Sequence, residues 1–285
     1  MRKVIFWSIL IILLVISGVL TFSKRDRELT SQKMVEKETK ISQFETSKEE
    51  VTLITVYDNY QHDLRLKTGW GFSCLVKINN ESILFDTGAD SPTLLSNMEK
   101  VDVDPTQIDK IVLSHIHGDH VGGLEGFLKR NGNVTVYIPA SFPDSMRREI
   151  ESYRAEYKDI KETEQISENI YSTGELGVWV KEQSLIVNTN KGLVVITGCA
   201  HPGIVNIIKK TKEIFPKEEI YLVIGGFHLA GFSDSELKNI INDFKKLGVQ
   251  IAAPCHCSGD RTRELFKEEY GENFIENGVG KIINI

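Results

Sequence analysis

Val51, Leu53, Thr55 and Tyr57 fall at every second position, a period of two that predicts a half-buried first strand. The runs 74–78 and 82–85 are joined by Asn79-Asn80, the pattern of a hairpin. Pro92 is placed for the first turn of a short helix over 92–100. Ile111-Val112-Leu113 predicts a short buried strand, 134–138 another, and 122–128 the start of a helix between them. The stretch 143–160 carries Arg147, Arg148, Glu149, Glu151, Arg154 and Glu156 and predicts a charged, solvated helix. Further strands are expected at Val178-Trp179-Val180, 184–188, 193–197, 221–224 and 249–252, with helical apolar spacing over 204–215 and 235–247. Early hairpins, then strands alternating with helices, predict an α/β domain over 51–285 made of two mixed sheets with helices packed outside.

The first fifty residues follow another pattern. Positions 4–22 are apolar apart from Ser8, Ser17, Gly18 and Thr21, and a helix of that length spans roughly 28 Å, close to a bilayer's hydrocarbon core. The one cleavage-like site, Thr21-Phe22-Ser23, is poor, and no cysteine follows for lipid processing. Residues 1–23 are therefore expected to be a membrane anchor in preference to a cleaved signal segment. Arg2 and Lys3 face Lys24, Arg25 and Arg27 across it, so charge barely decides orientation. The short cationic leader favours a cell-membrane location with the rest of the chain extracytoplasmic, or secreted if the segment is cleaved. Residues 24–50 are mostly Lys, Glu, Ser, Thr and Gln and are expected to be a flexible charged linker with an end-to-end distance of roughly 30 Å.

Composition narrows the function little. The formal net charge is −6 and 51–285 holds no block of lysine and arginine, so no nucleic-acid partner is expected. The 4 cysteines, Cys74, Cys199, Cys255 and Cys257, lack the spacing of a disulfide framework, and three of them lie beside candidate site histidines. They read as thiols near a metal site.

The chemistry is concentrated at strand ends. Ser114-His115-Ile116-His117-Gly118-Asp119-His120 follows a predicted strand directly. His115 and His117 are two apart, so extended backbone sends both imidazoles to one side where they can share an ion. Asp119 and His120 can reach a second ion through a turn at Gly118. Imidazole with carboxylate suits zinc, with iron or manganese as alternatives. His201 in Gly198-Cys199-Ala200-His201-Pro202-Gly203, His228 in Gly226-Phe227-His228-Leu229 and His256 in Cys255-His256-Cys257-Ser258-Gly259 repeat the layout, and Asp86 ends a strand in Asp86-Thr87-Gly88. Each has a plainer alternative: a helix-capping or packing role for His201, a structural one for His228 and His256, a turn carboxylate for Asp86. Several polar strand ends along one edge of the sheets would build a single site.

The HxHxDH pattern resembles the metallo-β-lactamase superfamily, and the motifs together, with Gly278-Val279-Gly280, resemble its branch containing dihydropterin–ribofuranosylaminobenzene phosphate synthase. The likeness runs from about Val51 to the C-terminus. It implies a four-layer αβ/βα sandwich with two divalent metal ions, zinc before manganese or iron. By motif, His115, His117 and His201 would hold the first ion, and Asp119, His120 and His256 the second. Many members bridge the ions with an aspartate of a Gly-Asp pair, whereas the comparable strand end here reads Gly198-Cys199.

The resemblance implies a hydrolase of a small molecule that activates a metal-bound water, with Asp119 orienting the water and His228 donating to an oxyanion. A methanopterin-synthase-like condensation is the alternative, on a phosphate-bearing or pterin-like substrate. Di-iron redox members normally have a glutamate where His117 stands and an attached flavin domain, and the chain has neither. The retained histidines speak against a silent sensor module.

Overall fold

The computed structural model describes residues 51–285. The expected anchor (1–23) and linker (24–50) lie outside the described residues. Among the described residues no helix is long and apolar enough to cross a membrane.

Two sheets carry the structure. Strands β1 (Val51–Tyr57), β2 (Ser73–Ile78), β3 (Glu81–Phe85), β4 (Lys110–Val112), β5 (Thr135–Pro139), β6 (Glu156–Ile160) and β13 (Ile282–Asn284) form the first, in the order β13-β1-β2-β3-β4-β5-β6. Strands β7 (Glu164–Ser167), β8 (Ile170–Ser172), β9 (Leu185–Thr189), β10 (Gly192–Thr197), β11 (Ile220–Gly226) and β12 (Val249–Cys255) form the second, in the order β12-β11-β10-β9-β8-β7. Both mix antiparallel and parallel pairs: β2 returns as β3 through Asn79 at φ 53°, while β3–β4–β5–β6 and β10–β11–β12 run parallel.

The period of two decides which side each residue faces. Cys74, Val76, Ile83, Phe85 and Val112 enter the core between the sheets, with Val187, Ile196, Leu222 and Ile224 from the opposite sheet. Their neighbours Leu75, Leu84 and Ile111 point the other way, onto helices α1 (Ser91–Lys100), α3 (Leu124–Arg130) and α4 (Asp144–Ser152) through Leu94, Met98, Phe127 and Ile150. The short α2 (Gly118–Val121) precedes α3. Helices α5 (Ile204–Ile214), α6 (Asp234–Lys246) and α7 (Asp260–Tyr270) accompany the second sheet, where Phe244 meets Phe227 and Phe266 at ring-centroid distances of 5.5 and 5.1 Å. This is the two-sheet α/β sandwich expected from the sequence.

Two expected elements differ. The stretch 143–160 is not one helix: α4 stops at Ser152, Arg154 turns the chain at φ 66°, and β6 pairs in parallel with β5. β6 is an edge strand, so its charged residues face water and only Ile160 is fully buried, which leaves no strand periodicity to read. The guanidinium of Arg147 donates to the Asp159 carboxylate at 2.7 Å and ties α4 to that edge. Val178-Trp179-Val180 is likewise no strand. Val178 and Trp179 are 82% and 98% exposed at the tip of a loop closed by mutual backbone bonds between Leu176 and Glu182. Val180 is half-buried, and the loop delivers Glu182 into the interior.

Candidate metal centre

The strand ends converge as the sequence predicts. After β4 the chain runs through Ser114 and His115 to His117, which caps α2 with extended backbone (φ −66°, ψ 143°). His115 Nε2 lies 3.1 Å from His117 Nδ1, and the rings of both stand within 4.8 Å of the His201 ring, which the loop after β10 contributes. The ligand atoms of His115, His117 and His201 all lie within 4.8 Å of one another, and so do those of Asp119, His120, Cys199 and His256. His120 and His256 stand 5.0 Å apart ring to ring, and Asp119 Oδ2 is 3.2 Å from His256 Nε2 and 3.6 Å from His120 Nε2. All the histidines but the exposed His62 meet here.

Each inner imidazole is held by its other nitrogen, the arrangement that fixes tautomer and ring angle in a metal site. Ser114 Oγ meets His115 Nδ1 at 2.9 Å, Asp86 Oδ2 meets His120 Nδ1 at 2.7 Å, and Asn59 Oδ1 meets His256 Nδ1 at 3.2 Å. Asp86 also accepts from Ser114 N at 2.6 Å and Ser114 Oγ at 2.7 Å. It is thus an orienting carboxylate under the site and neither a turn ornament nor an open ligand. The Nε2 of His201 is buried with no hydrogen-bond partner, which a bound cation would satisfy. The donor set fits divalent metal: burial, with the neighbouring imidazoles, pulls His115 well below the ordinary histidine value and His201 down to about 4. Both rings are therefore neutral near pH 7, as coordination requires. Burial alone would lower His120 too, but the Asp86 carboxylate reverses that and holds it above its usual value.

Four residues of the site adopt left-handed backbone although none is glycine: Asp86 (φ 56°), Ala200 (φ 59°), His228 (φ 54°) and His256 (φ 50°). Such conformations persist only where the surroundings over-determine them, and they cluster at functional sites. Two glycines allow the close packing. A Cβ on Gly198 would stand 2.1 Å from Ser114 Oγ, and one on Gly226 would stand 2.4 Å from the Gly198 carbonyl and 2.7 Å from Cys257 Sγ.

Of the residues that complete the site, Glu182 and Trp70 carry no sequence signal, whereas Cys199 and His228 were expected beside the metal. Glu182, 1% exposed, accepts from the backbone N–H groups of Cys199 (3.0 Å), Ala200 (2.9 Å) and His201 (2.8 Å) and so sets the loop that carries His201. Burial pushes its carboxyl up to about 7, against the lowering effect of those N–H groups. Cys199 Sγ lies 3.2 Å from His120 Nε2. The Trp70 ring packs 5.0 Å from that of His256. His228 is exposed, 4.5 Å from His201 ring to ring, and belongs to a third grouping with Cys199 and His201. All 4 cysteines are free thiols and buried.

Residues 71–209 match the family model described as the metallo-beta-lactamase superfamily. Among curated proteins, the chain is 29% identical to 7,8-dihydropterin-6-methyl-4-(beta-D-ribofuranosyl)-aminobenzene-5'-phosphate synthase of Methanocaldococcus jannaschii, over 81% of this chain and 95% of that protein. It is 35% identical to the uncharacterized protein MJ0448 of the same organism, over 75% of this chain and 93% of that one. Among solved structures, Tm1679, described as a metal-dependent hydrolase of the beta-lactamase superfamily, superposes with a TM-score of 0.70 at 29% identity, covering 82% of this chain and 99% of that one.

Proposed function

The chain belongs to the metallo-beta-lactamase superfamily, and on that premise we propose that it is a metal-dependent hydrolase of a small molecule that works with two divalent ions, zinc before manganese or iron. The observation that carries this reading is the convergence of His115, His117 and His201 on one point beside Asp119, His120 and His256 on another. When bound, such a pair of ions polarises a substrate oxygen and brings the pKa of a coordinated water towards neutrality.

The chain's own residues supply the rest. Burial would raise the Asp119 carboxyl, but its hydrogen bond with His256 and the charge of His120 outweigh that and hold it well below the usual range. Asp119 is therefore an ionised acceptor that orients the attacking water as well as a metal ligand. His228 stands outside the six proposed ligands on exposed backbone, and its hydrogen bond with Cys257 holds the imidazole above its ordinary value. That favours the cationic ring, a donor to the oxyanion that forms as the substrate is attacked.

Metal analysis of the purified chain tests the reading, followed by a screen of phosphoesters, lactones, thioesters and lactams. Two equivalents of metal are expected; one or fewer after reconstitution with zinc, manganese or iron sinks the dinuclear assignment. His228→Ala should keep its full metal content while turnover falls roughly a hundredfold. Loss of an equivalent would make His228 a ligand instead. A second reading, condensation on a phosphate-bearing or pterin-like substrate, is favoured by the match along nearly all of the M. jannaschii synthase. Product formation from such a substrate pair, with no turnover in the hydrolytic screen, would select it.

Residues 1–23 would anchor this activity at the cell membrane with the domain extracytoplasmic. Cell fractionation with N-terminal sequencing tests that placement, and a soluble chain beginning near Lys24 would reverse it.

A further inference from the structure

We propose that the substrate carries a flat, uncharged aromatic group next to the bond that reacts, and that Trp70 is the residue that selects it. This names a substrate class for the proposed hydrolase and rests on that reading. Among the described residues seven large apolar side chains are exposed, and five of them, Trp70, Ile116, Val178, Trp179 and Phe232, stand on loops that carry or brace proposed metal ligands. Exposed apolar side chains are usually scattered singly, whereas a gathering of them beside convergent polar groups marks a binding site.

Trp70 is 59% exposed, yet its backbone is fixed on both sides. Gly69 N donates to the Asp58 carbonyl at 3.1 Å, and Phe72 N donates to the Asp119 carbonyl at 3.3 Å. A Cβ on Gly69 would stand 2.3 Å from Tyr57 Oη, and one on Gly71, at φ 148°, would stand 2.4 Å from the Asp119 carbonyl oxygen. A clamped Gly-Trp-Gly segment thus holds the indole 5.0 Å from the His256 ring at 55°, beside the second metal position. A ring fixed in advance loses little freedom when a ligand stacks on it. Two more aromatic residues border the site from other loops. Trp179 tips the loop closed at Leu176 and Glu182, where a Cβ on Gly177 would lie 3.4 Å from Pro202 Cγ, next to His201. Phe232 is on the loop that follows His228, whose Ala230 Cα would be 3.0 Å from a Cβ on Gly259. The neighbouring cations are engaged: Lys181 Nζ donates to the Gly177 carbonyl at 2.6 Å, and Arg261 donates to Asp234 at 2.9 Å and to Glu264 at 3.0 Å. These walls therefore offer apolar contact area rather than charge. The plainer alternative is an indole that only packs against His256 and meets no ligand.

The test uses the full chain loaded with zinc and three probes of equal charge, each able to reach the ions through its carboxylate. They are naphthalene-2-carboxylate, its saturated counterpart decahydronaphthalene-2-carboxylate, and acetate, with affinities read by isothermal titration calorimetry. Aromatic pairs add roughly a twofold to tenfold gain beyond apolar area, so the naphthalene acid should bind about fivefold tighter than the saturated one, and both tighter than acetate. Trp70→Ala should erase the preference for the flat acid while zinc content stays at two equivalents. Trp70→Phe should restore part of that preference, which a purely structural role would not produce. Equal affinity for the flat and saturated acids in the unmutated chain overturns the proposal, a comparison that needs no variant to fold. A preference that survives Trp70→Ala overturns the role of Trp70. Failure of both bicyclic acids to bind protein that holds two zinc ions overturns the substrate class and leaves the hydrolase reading standing. Protein that takes up no zinc overturns that earlier reading and this proposal with it.

Discussion

Glu182 holds the His201 loop from below, and removing its carboxylate should loosen both the fold and the metal site. Each backbone N–H left without an acceptor in a buried position costs about 2 kcal/mol, so the three N–H groups of Cys199, Ala200 and His201 together lose about 6 kcal/mol in Glu182→Ala. Against this, burial raises the carboxyl from 4.5 to about 7, so housing the ionised group near neutrality costs about 3 kcal/mol, which the substitution recovers. The net loss is about 3 kcal/mol, or roughly 6–12 °C of melting temperature for a domain of this size. Glu182→Gln is gentler and more specific. Its amide oxygen can keep the Cys199 and Ala200 bonds, both made by Oε1, while an NH2 group faces the His201 N–H where Oε2 stood. That variant should lose about 1–2 kcal/mol, the range for one unsatisfied group, with a larger effect on metal held by His201. Thermal unfolding of metal-free protein, paired with zinc titration, separates the two effects. A Glu182→Ala protein melting within about 2 °C of the wild type, less than 1 kcal/mol of change, would refute the assignment of the loop to this carboxylate.

Other substitutions test other parts. His120→Ala and His256→Ala should each lose about one equivalent of metal by elemental analysis, because each removes a donor from the second position. Asp58 is fully buried, and burial pushes its carboxyl from 3.8 up to about 6. A raised acid pKa favours the folded state at low pH, so this contribution to stability should fall by about 3 kcal/mol as pH rises from 4 through 6. Asp58→Asn should abolish that part of the slope in urea titrations of metal-free protein, and an unchanged slope would contradict it. Phe244→Ala should destabilise the second sheet's helix layer by about 3–5 kcal/mol in the same titrations, since it empties the centre of the Phe227–Phe244–Phe266 cluster.

Local pattern carried the fold where one face of an element is buried, and failed where neither is. β2, β3, β4 and β10 alternate or run apolar because both sheets and helices cover them, and their positions were readable. β6 lies at an edge with charged residues turned to water, and β7 is short and equally polar, so neither leaves a signature. Val178 and Trp179 misled for the opposite reason: they are apolar yet sit in solvent. At the site, the six gathered histidines and Asp119 announced themselves by spacing and by glycine-rich strand ends. Their supports did not. Glu182 is 19 residues from His201, Asp86 34 from His120, and Asn59 197 from His256, separations that only the folded topology closes. Nor could sequence give the left-handed turns at Asp86, Ala200, His228 and His256, because glycine, the usual sign of positive φ, is absent from each.

The pairing of β1 with β13 has a consequence for how the chain reaches this state. Thr52 and Asn284 are partners in register and share a side-chain hydrogen bond at a sequence separation of 232, while Val51 and Ile285 exchange backbone bonds at 3.2 and 2.9 Å. During synthesis β1 emerges long before the strand that covers its outer edge, and closing so long a loop is slow. Until then a row of unpaired N–H and C=O groups on a strand rich in Val, Ile and Thr is open to any other extended chain. A chaperone acting on the nascent protein would be needed most at this edge, and trimming even the last few residues would make the exposure permanent.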